Sequence, residues 1–337
     1  MNNDVIKRLK NAGLLSDQAH DLGFVSTGSY ALNKIISGDY MKGIPIGMIT
    51  QFHGEASTAK TVFATHILKE AQSKGYYSML VDSENAYNPT FARQLGVDPE
   101  RLIYSTPETL EESFQVMEET ITSIREADPD TPIVIAYDSI AVSPSKAEYE
   151  AESYDGNNMQ GAIRAKATGA CLRKINPLMR KHKVALIVIN QIRSKVGVMY
   201  GNPETMAAGG KSLDYYLGVN LKCVSNKTAD LVRDDNKQVV GITGTVRNTK
   251  NKVSIPFREC EFELMYDKGL NACAGMLKQL VLDNVVDQSG AWYSWNGVKF
   301  QRKEFDNSFS SGEKFAGLRE AVGVETQPVE NKELTAS

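Results

Sequence analysis

Apolar runs and amphipathic stretches alternate along most of this chain. Short runs rich in β-branched and aromatic residues, bounded by turn residues, predict strands at Met48–Phe52, Tyr76–Val81, Leu102–Ser105, Ile133–Tyr137 and Val184–Ile189. Between them, apolar residues three and four apart predict helices at Lys60–Ser73, Pro89–Gly96, Leu110–Glu126 and Ala162–Lys181. Repeated units of this kind predict an α/β fold, a mostly parallel sheet covered by helices on both faces. Beyond Gly218 the pattern changes to strands without intervening helices, Val219–Val224, Val239–Asn248 and Cys260–Tyr266, which predicts an antiparallel extension of the sheet.

The two ends differ from this middle. Asp4 to Leu15 carries Val5, Ile6, Leu9 and Leu14 among basic residues, a short amphipathic helix whose apolar side needs another surface, such as a neighbouring subunit. Ser26-Thr27-Gly28-Ser29 leads into an N-capped helix, Tyr30–Ile36, closed by Ser37-Gly38. From Gly269 the chain turns to a small α+β unit, with a helix at Leu277–Val286 and an aromatic strand pair around Ala291–Gly297. The last residues show no apolar periodicity. The expected division is an N-terminal helical segment for polymerisation at 1–22, a core at 23–268, a small C-terminal domain at 269–324 and a disordered tail at 325–337.

Composition narrows the class. A chain of 337 residues with 42% hydrophobic content can bury one sizeable core and leave material for small accessory units. It has no run of eighteen apolar residues and no secretory signal pattern, so the expectation is a cytoplasmic protein with no membrane segment. Cys171, Cys223, Cys260 and Cys273 lie far apart without metal-ligand spacing and read as reduced core thiols. The net charge is −3, yet Gly156 to Pro203 holds no Asp or Glu while carrying Arg164, Lys166, Arg173, Lys174, Arg180, Lys181, Lys183, Arg193 and Lys195. Such a segment in an acidic chain points to a surface for a polyanion; the plainer alternative is a solvated basic helix face.

The chemistry concentrates where strands end. His53-Gly54-Glu55-Ala56-Ser57-Thr58-Ala59-Lys60-Thr61 follows an apolar strand and opens a helix, the setting of a phosphate-binding loop. In that reading backbone N–H groups wrap a phosphate, Lys60 reaches the β/γ-phosphates and the Thr61 hydroxyl faces Mg²⁺. Ala59 occupies the position where this pattern has glycine; alanine fits there if the backbone is already helical and fails if the loop needs a positive φ. The alternative is a polar turn with an incidental Lys-Thr pair. The strand Ile133–Tyr137 ends in Asp138, the expected metal-side aspartate, or else a mere cap. The strand before it ends Asp82-Ser83-Glu84, which places Glu84 to deprotonate an attacking water, or simply in solvent. A third strand ends Ile189-Asn190-Gln191, where an amide can sense a γ-phosphate and pass the change to the adjoining loop.

Taken together, these stretches resemble the RecA-family recombinases. The residues that carry the resemblance are Ser26–Ser29, Gly54–Thr61, Asp82-Ser83-Glu84-Asn85-Ala86, Leu95-Gly96-Val97-Asp98, Asp138-Ser139 and, most specifically, the run Asn190-Gln191-Ile192-Arg193-Ser194-Lys195-Val196-Gly197-Val198-Met199-Tyr200-Gly201-Asn202-Pro203-Glu204-Thr205. Lys250-Asn251-Lys252 and Gly290–Ser294 extend it, so that it covers about residues 23 to 300. The resemblance implies an ATPase using ATP and Mg²⁺ that forms a homo-oligomeric helical filament on single-stranded DNA and exchanges strands with homologous double-stranded DNA. Single-strand-binding and mediator proteins would be further partners. Glu84 is implied as general base, Gln191 as the coupling residue, and Lys250 and Lys252 as lysines reaching a neighbour's ATP; Phe91 and Tyr266 match positions near adenine. The implied DNA loops fall near 152–164 and 193–210. Met159, Arg164, Lys166, Arg173, Arg193, Lys195, Met199, Tyr200, Gly209 and Gly210 are the candidate contacts, with Arg164 and Lys166 as alternatives in the first loop. The chain departs from the family pattern at Ala59, at Asp214, where lysine is usual, and in a second loop longer by one residue. Two rival readings are a hexameric DNA motor, such as a helicase or a RadA-like branch-migration ATPase, and a DNA-coating filament with weak ATPase.

Overall fold

Strands whose residues are buried throughout need a helical layer on each face. The computed structural model has that arrangement, and it describes residues 4, 7–8, 22–151, 158–194, 204–206, 210–225 and 230–324. In chain order the elements are β1 (Phe24–Val25), α1 (Tyr30–Ser37), β2 (Ile44–Pro45), β3 (Ile49–Gly54), α2 (Lys60–Ser73), β4 (Tyr77–Asp82), α3 (Pro89–Gln94), β5 (Leu102–Ser105), α4 (Leu110–Ala127), β6 (Ile133–Asp138), α5 (Lys146–Tyr149), α6 (Asn158–Lys181), β7 (Val184–Ser194), β8 (Glu204–Met206), α7 (Gly210–Tyr216) and β9 (Leu217–Val224). They continue with β10 (Leu231–Arg233), β11 (Val239–Asn251), β12 (Glu259–Met265), β13 (Gly269–Leu270), α8 (Met276–Leu282), β14 (Asp287–Ser289), β15 (Trp292–Trp295), β16 (Val298–Gln301), α9 (Arg302–Ser308) and α10 (Ala316–Ala321). The predicted N-terminal helix lies almost wholly outside the described residues, and the predicted tail at 325–337 entirely so.

The main sheet runs β13-β12-β11-β9-β3-β7-β6-β4-β5. Its β9-β3-β7-β6-β4-β5 portion is parallel, and the antiparallel part begins only at β11. That corrects the reading of β9 as part of the antiparallel extension. Helix α7 stands between β7 and β9, so the chain makes a helical crossover and β9 enters beside β3 in parallel. On one face Phe63, Ala64, Ile67, Leu68 and Ala71 of α2 pack against Phe52, Ala136 and Ile187. Phe63 stacks on Phe52 at 5.5 Å and meets Phe262 edge-on, which fixes the helix that leaves the phosphate loop. The other face is covered by Phe114, Met117 and Ile121 of α4 and by Leu172, Ile175 and Met179 of α6. Residues after β13 build a three-stranded antiparallel sheet, β14-β15-β16, around a separate cluster with Phe300, Phe305, Phe309 and Phe315.

Several boundaries shift for physical reasons. Gly54 is the last residue of β3 and not yet a turn; a Cβ there would stand 2.3 Å from the Cys223 carbonyl oxygen, so only glycine allows β9 to approach so closely. Strand β7 continues past Gln191 to Ser194, where it pairs with β8. Helix α6 begins at Asn158, so Met159 and Arg164 lie in a helix that overlaps the loop expected at 152–164. Helix α8 stops at Leu282, because Asn284 takes a positive φ of 57° that no helix continues through.

Candidate ATP site and the strand ends around it

Parallel strands in register place their carboxyl ends on one edge. Gly54 is level with Gln191, and Asp82 is level with Asp138. That edge brings together Lys60, Thr61, Glu84, Asp138 and Gln191. Thr61 Oγ1 donates to Asp138 Oδ2 at 2.6 Å. Glu84 Oε1 accepts from Ser139 Oγ at 2.7 Å and from Gln191 Nε2 at 3.2 Å. The sequence expected the residues to share the edge; the direct contact of Glu84 with Gln191 and Ser139 emerges only in the fold.

The loop from Glu55 to Ala59 folds around the lysine. Lys60 Nζ donates to the Glu55 carbonyl at 2.5 Å and lies 3.4 Å from Thr58 Oγ1, which itself donates to Glu55 O at 2.9 Å. Glu55, Ala56 and Ser57 are exposed, whereas Thr58, Ala59 and Lys60 are buried. Ala59 sits at φ 65°, in the left-handed region. The loop therefore demands the backbone that glycine adopts freely, and alanine holds it against a cost of roughly 1–2 kcal/mol. Ala59→Gly is expected to raise stability by about 1 kcal/mol, read as a higher urea midpoint at unchanged slope. An unchanged midpoint would show that Ala59 carries no strain.

Burial pushes the Asp138 carboxyl up to about 6, aided by the nearby Glu84 and Asp82 carboxylates and opposed by the Thr61 hydroxyl and Lys60. Its side chain is almost fully enclosed. A hydroxyl and a buried carboxylate short of positive charge form a donor set that fits a hard divalent cation shared with phosphate oxygens. Asp82 plays a supporting part that the sequence did not reveal. Its Oδ1 accepts from Glu84 N at 3.1 Å, and its Oδ2 accepts from Tyr87 N at 2.9 Å and from Tyr104 OH at 3.1 Å. These bonds shape the turn that presents Glu84.

The two aromatic candidates flank the first turn of α2. Phe91 lines a small apolar pocket with Thr61, Ala64, Leu80, Tyr87 and Asp138, whereas Tyr266 lines a separate groove with Ser57, Lys60, Val62 and Leu264. Gln94 Nε2 donates to Asp267 O at 3.1 Å and ties the two sides.

Lys250 and Lys252 are not at this edge. Lys250 is level with Asn220 and, through it, with Gln51, three residues before Gly54 and roughly 10 Å back from the edge at ~3.3 Å per residue. Its Nζ donates to the Asp214 carbonyl, and Lys252 Nζ donates to Tyr215 O at 3.4 Å, so both ammonium groups sit at the carboxyl end of α7. Burial, with Lys252 beside it, holds the Lys250 ammonium below its usual value.

The basic segment is less uniform in space than in sequence. Lys174 pairs with Glu118 at 2.6 Å and Lys183 with Asp130 at 2.8 Å. Arg164 Nη2 donates to Ile140 O and Ala141 O at 2.9 and 2.6 Å, whereas Lys166 and Arg173 are exposed on α6. Lys195, Met199, Tyr200 and Gly209 lie outside the described residues, as do residues 152–157 of the first loop; for Met159, Arg193 and Gly210 only the backbone is described.

A parallel sheet with a phosphate-type loop leaving one strand, and carboxylates ending its neighbours, defines a phosphate-loop nucleoside triphosphatase core. The family model of the RecA N-terminal domain matches residues 8–271. Protein RecA of Paramagnetospirillum magneticum is 36% identical over 283 residues, covering 84% of this chain and 74% of that protein. Protein RecA of Chlorobaculum tepidum is 36% identical over 275 residues, covering 82% and 75%, and that of Thioalkalivibrio sulfidiphilus is 34% identical over 284, covering 84% and 78%. This chain belongs to the RecA family, and it is a recombinase and DNA-dependent ATPase of that family. The motor and scaffold alternatives are not favoured. Among the described residues no helix is long and apolar enough to cross a membrane.

Proposed function

We propose that this recombinase assembles as a filament on single-stranded DNA, binds ATP between protomers, and uses ATP as the switch for pairing and exchange with homologous duplex. The observation that carries the reading is the separation within one protomer. Lys60, Thr61, Glu84, Asp138 and Gln191 share the loop edge, whereas Lys250 and Lys252 stand back from it at the end of α7. Lysines so placed suit the ATP of a neighbour better than that of their own protomer. Exposed Tyr215, Ile255 and Phe257 lie on α7 and on the turn beyond the same lysines, as an apolar contact between copies requires.

Within the site, the N–H groups of residues 55–60 and Lys60 bind the β/γ-phosphates, and Thr61 with Asp138 holds Mg²⁺. When bound there, the ion would supply charge neutralisation at the phosphate oxygens. Glu84 takes the proton of the attacking water as the bond from the γ-phosphorus to ADP breaks. Gln191, bonded to Glu84, senses the γ-phosphate and carries the change along β7 toward residues 193–210. Lys166 and Arg173, with Arg193 and Lys195 further on, hold the DNA backbone, while Phe91 and Tyr266 flank the base of ATP. Residues 23–268 act as the core and 269–324 as a small C-terminal domain. Single-strand-binding and mediator proteins are the expected partners, in the cytoplasm.

ATP turnover measured against protein concentration, with and without single-stranded DNA, tests the reading. Specific activity should rise with concentration and with DNA, because the site is completed by assembly. Turnover per protomer that is independent of both would overturn it.

A further inference from the structure

Four polar side chains are sealed into the sheet face covered by α6 and α7, where apolar residues would pack as well. Gln51 and Asn190 are fully buried, and His53 and Asn220 nearly so. Along β3 they share the face of Ile49, and along β7 that of Leu186 and Val188, all members of the same apolar cluster. Buried polar groups in such a place are tolerated only when hydrogen-bonded, and here they are bonded to one another.

From Gln191 to Asn220 the bonds run in one direction across the sheet. Gln191 N donates to Asn190 Oδ1 at 2.9 Å, and Asn190 Nδ2 donates to Gln51 Oε1 at 3.1 Å. Gln51 Nε2 donates in turn to Asn220 Oδ1 at 2.9 Å. The same oxygen lies 2.8 Å from His53 Nδ1, which donates to it in the tautomer protonated there, and Gln51 Nε2 lies 3.5 Å from that nitrogen. The backbone oxygen of Asn220 then accepts from Thr249 Oγ1 at 3.1 Å, next to Lys250. One end of the chain is therefore the backbone of Gln191, whose side chain bonds Glu84, and the other, through the peptide carbonyl of Asn220, is the strand that carries Lys250 and Lys252. The Gln191 N–H can only donate, so while it is bonded it holds the Asn190 amide, and through it Gln51 and Asn220, in this one sense. Once Gln191 moves away, the Asn190 amide can reverse, and its neighbours must follow to keep donor from facing donor. The chain thus has discrete arrangements, the property a coupling element needs.

Resting on the filament ATPase reading above, we propose that Gln51, through Asn190 and Asn220, is a positioning residue that couples Gln191 in one protomer's site to the lysine strand serving the next. Because it touches neither nucleotide nor DNA, its loss should spare the chemistry and damage the coordination. In Gln51→Leu, DNA-free turnover per assembled protomer should stay within about twofold of wild type. The ratio of DNA-stimulated to DNA-free turnover should fall about fivefold or more, and the Hill coefficient for ATP should move toward one. Asn220→Leu should do the same, and the double variant should be no worse than either single one, because both cut one chain.

Urea midpoints measured in parallel separate this from plain destabilisation. A wild-type stimulation ratio and Hill coefficient in a folded Gln51→Leu would overturn the proposal, as would an equal loss of DNA-free and DNA-stimulated turnover accompanied by a lowered midpoint. If wild-type protein itself showed no DNA stimulation, the filament ATPase reading would fail and this inference with it, so the two failures are distinguishable.

Discussion

Lys60→Ala is expected to abolish ATP hydrolysis and to weaken ATP binding. The lysine is the one side-chain cation in the phosphate loop, and its ammonium is already enclosed by that loop, donating to the Glu55 carbonyl at 2.5 Å. Enclosure strengthens the field it offers to a phosphate, since water no longer screens it. As negative charge moves onto the leaving β-phosphate oxygens, alanine offers nothing in its place. Loss of one preorganised donor at developing charge commonly costs about 10²–10³-fold, and loss of a full charge should exceed that. Steady-state turnover should fall below detection, and ATP affinity, measured by fluorescent-nucleotide titration, should drop together with it. Turnover within about tenfold of wild type would remove Lys60 from the triphosphate site.

Much of this arrangement is legible in the chain. The period of apolar positions locates α2 from Lys60 to Ser73 and β5 from Leu102 to Ser105 at the observed limits. The residues on the loop edge are legible for a related reason. An apolar run that stops at Asp138 or at Asp82-Ser83-Glu84 marks both the end of a strand and the residue it presents.

What stayed hidden depends on residues distant in sequence. The parallel entry of β9 beside β3 is decided by a crossover and by the fit of Gly54 against Cys223, not by the composition of β9. The positive φ of Ala59 belongs to the loop as a whole and cannot be read from alanine itself. The basic run looks uniform as a string, yet Glu118 and Asp130 come from other elements to pair with Lys174 and Lys183. The polar chain through Gln51 left a faint sign, since Gln51 and His53 alternate with Phe52 in a central strand where only apolar residues are expected. That sign says the face is special without saying what the residues meet.

Glu84→Gln separates holding from chemistry more cleanly than any other change in the site. Both hydrogen bonds that fix the side chain, from Ser139 Oγ and Gln191 Nε2, are accepted by Oε1. Glutamine keeps an oxygen there, and the turn beneath is held by Asp82, which bonds to the backbone of residue 84 and so is indifferent to the substitution. The variant should therefore fold, bind ATP and assemble on single-stranded DNA with little change. It cannot take up a proton from water, and an amide in place of a general base costs about 10²-fold or more in turnover. Filaments of the variant should persist long after those of the wild type have hydrolysed their ATP and released DNA, because the switch stays in its ATP-bound setting. The measurement is single-turnover hydrolysis beside the lifetime of the protein on labelled single-stranded DNA. A variant that hydrolyses at the wild-type rate but binds ATP weakly would assign Glu84 to nucleotide binding and leave the proton to another group.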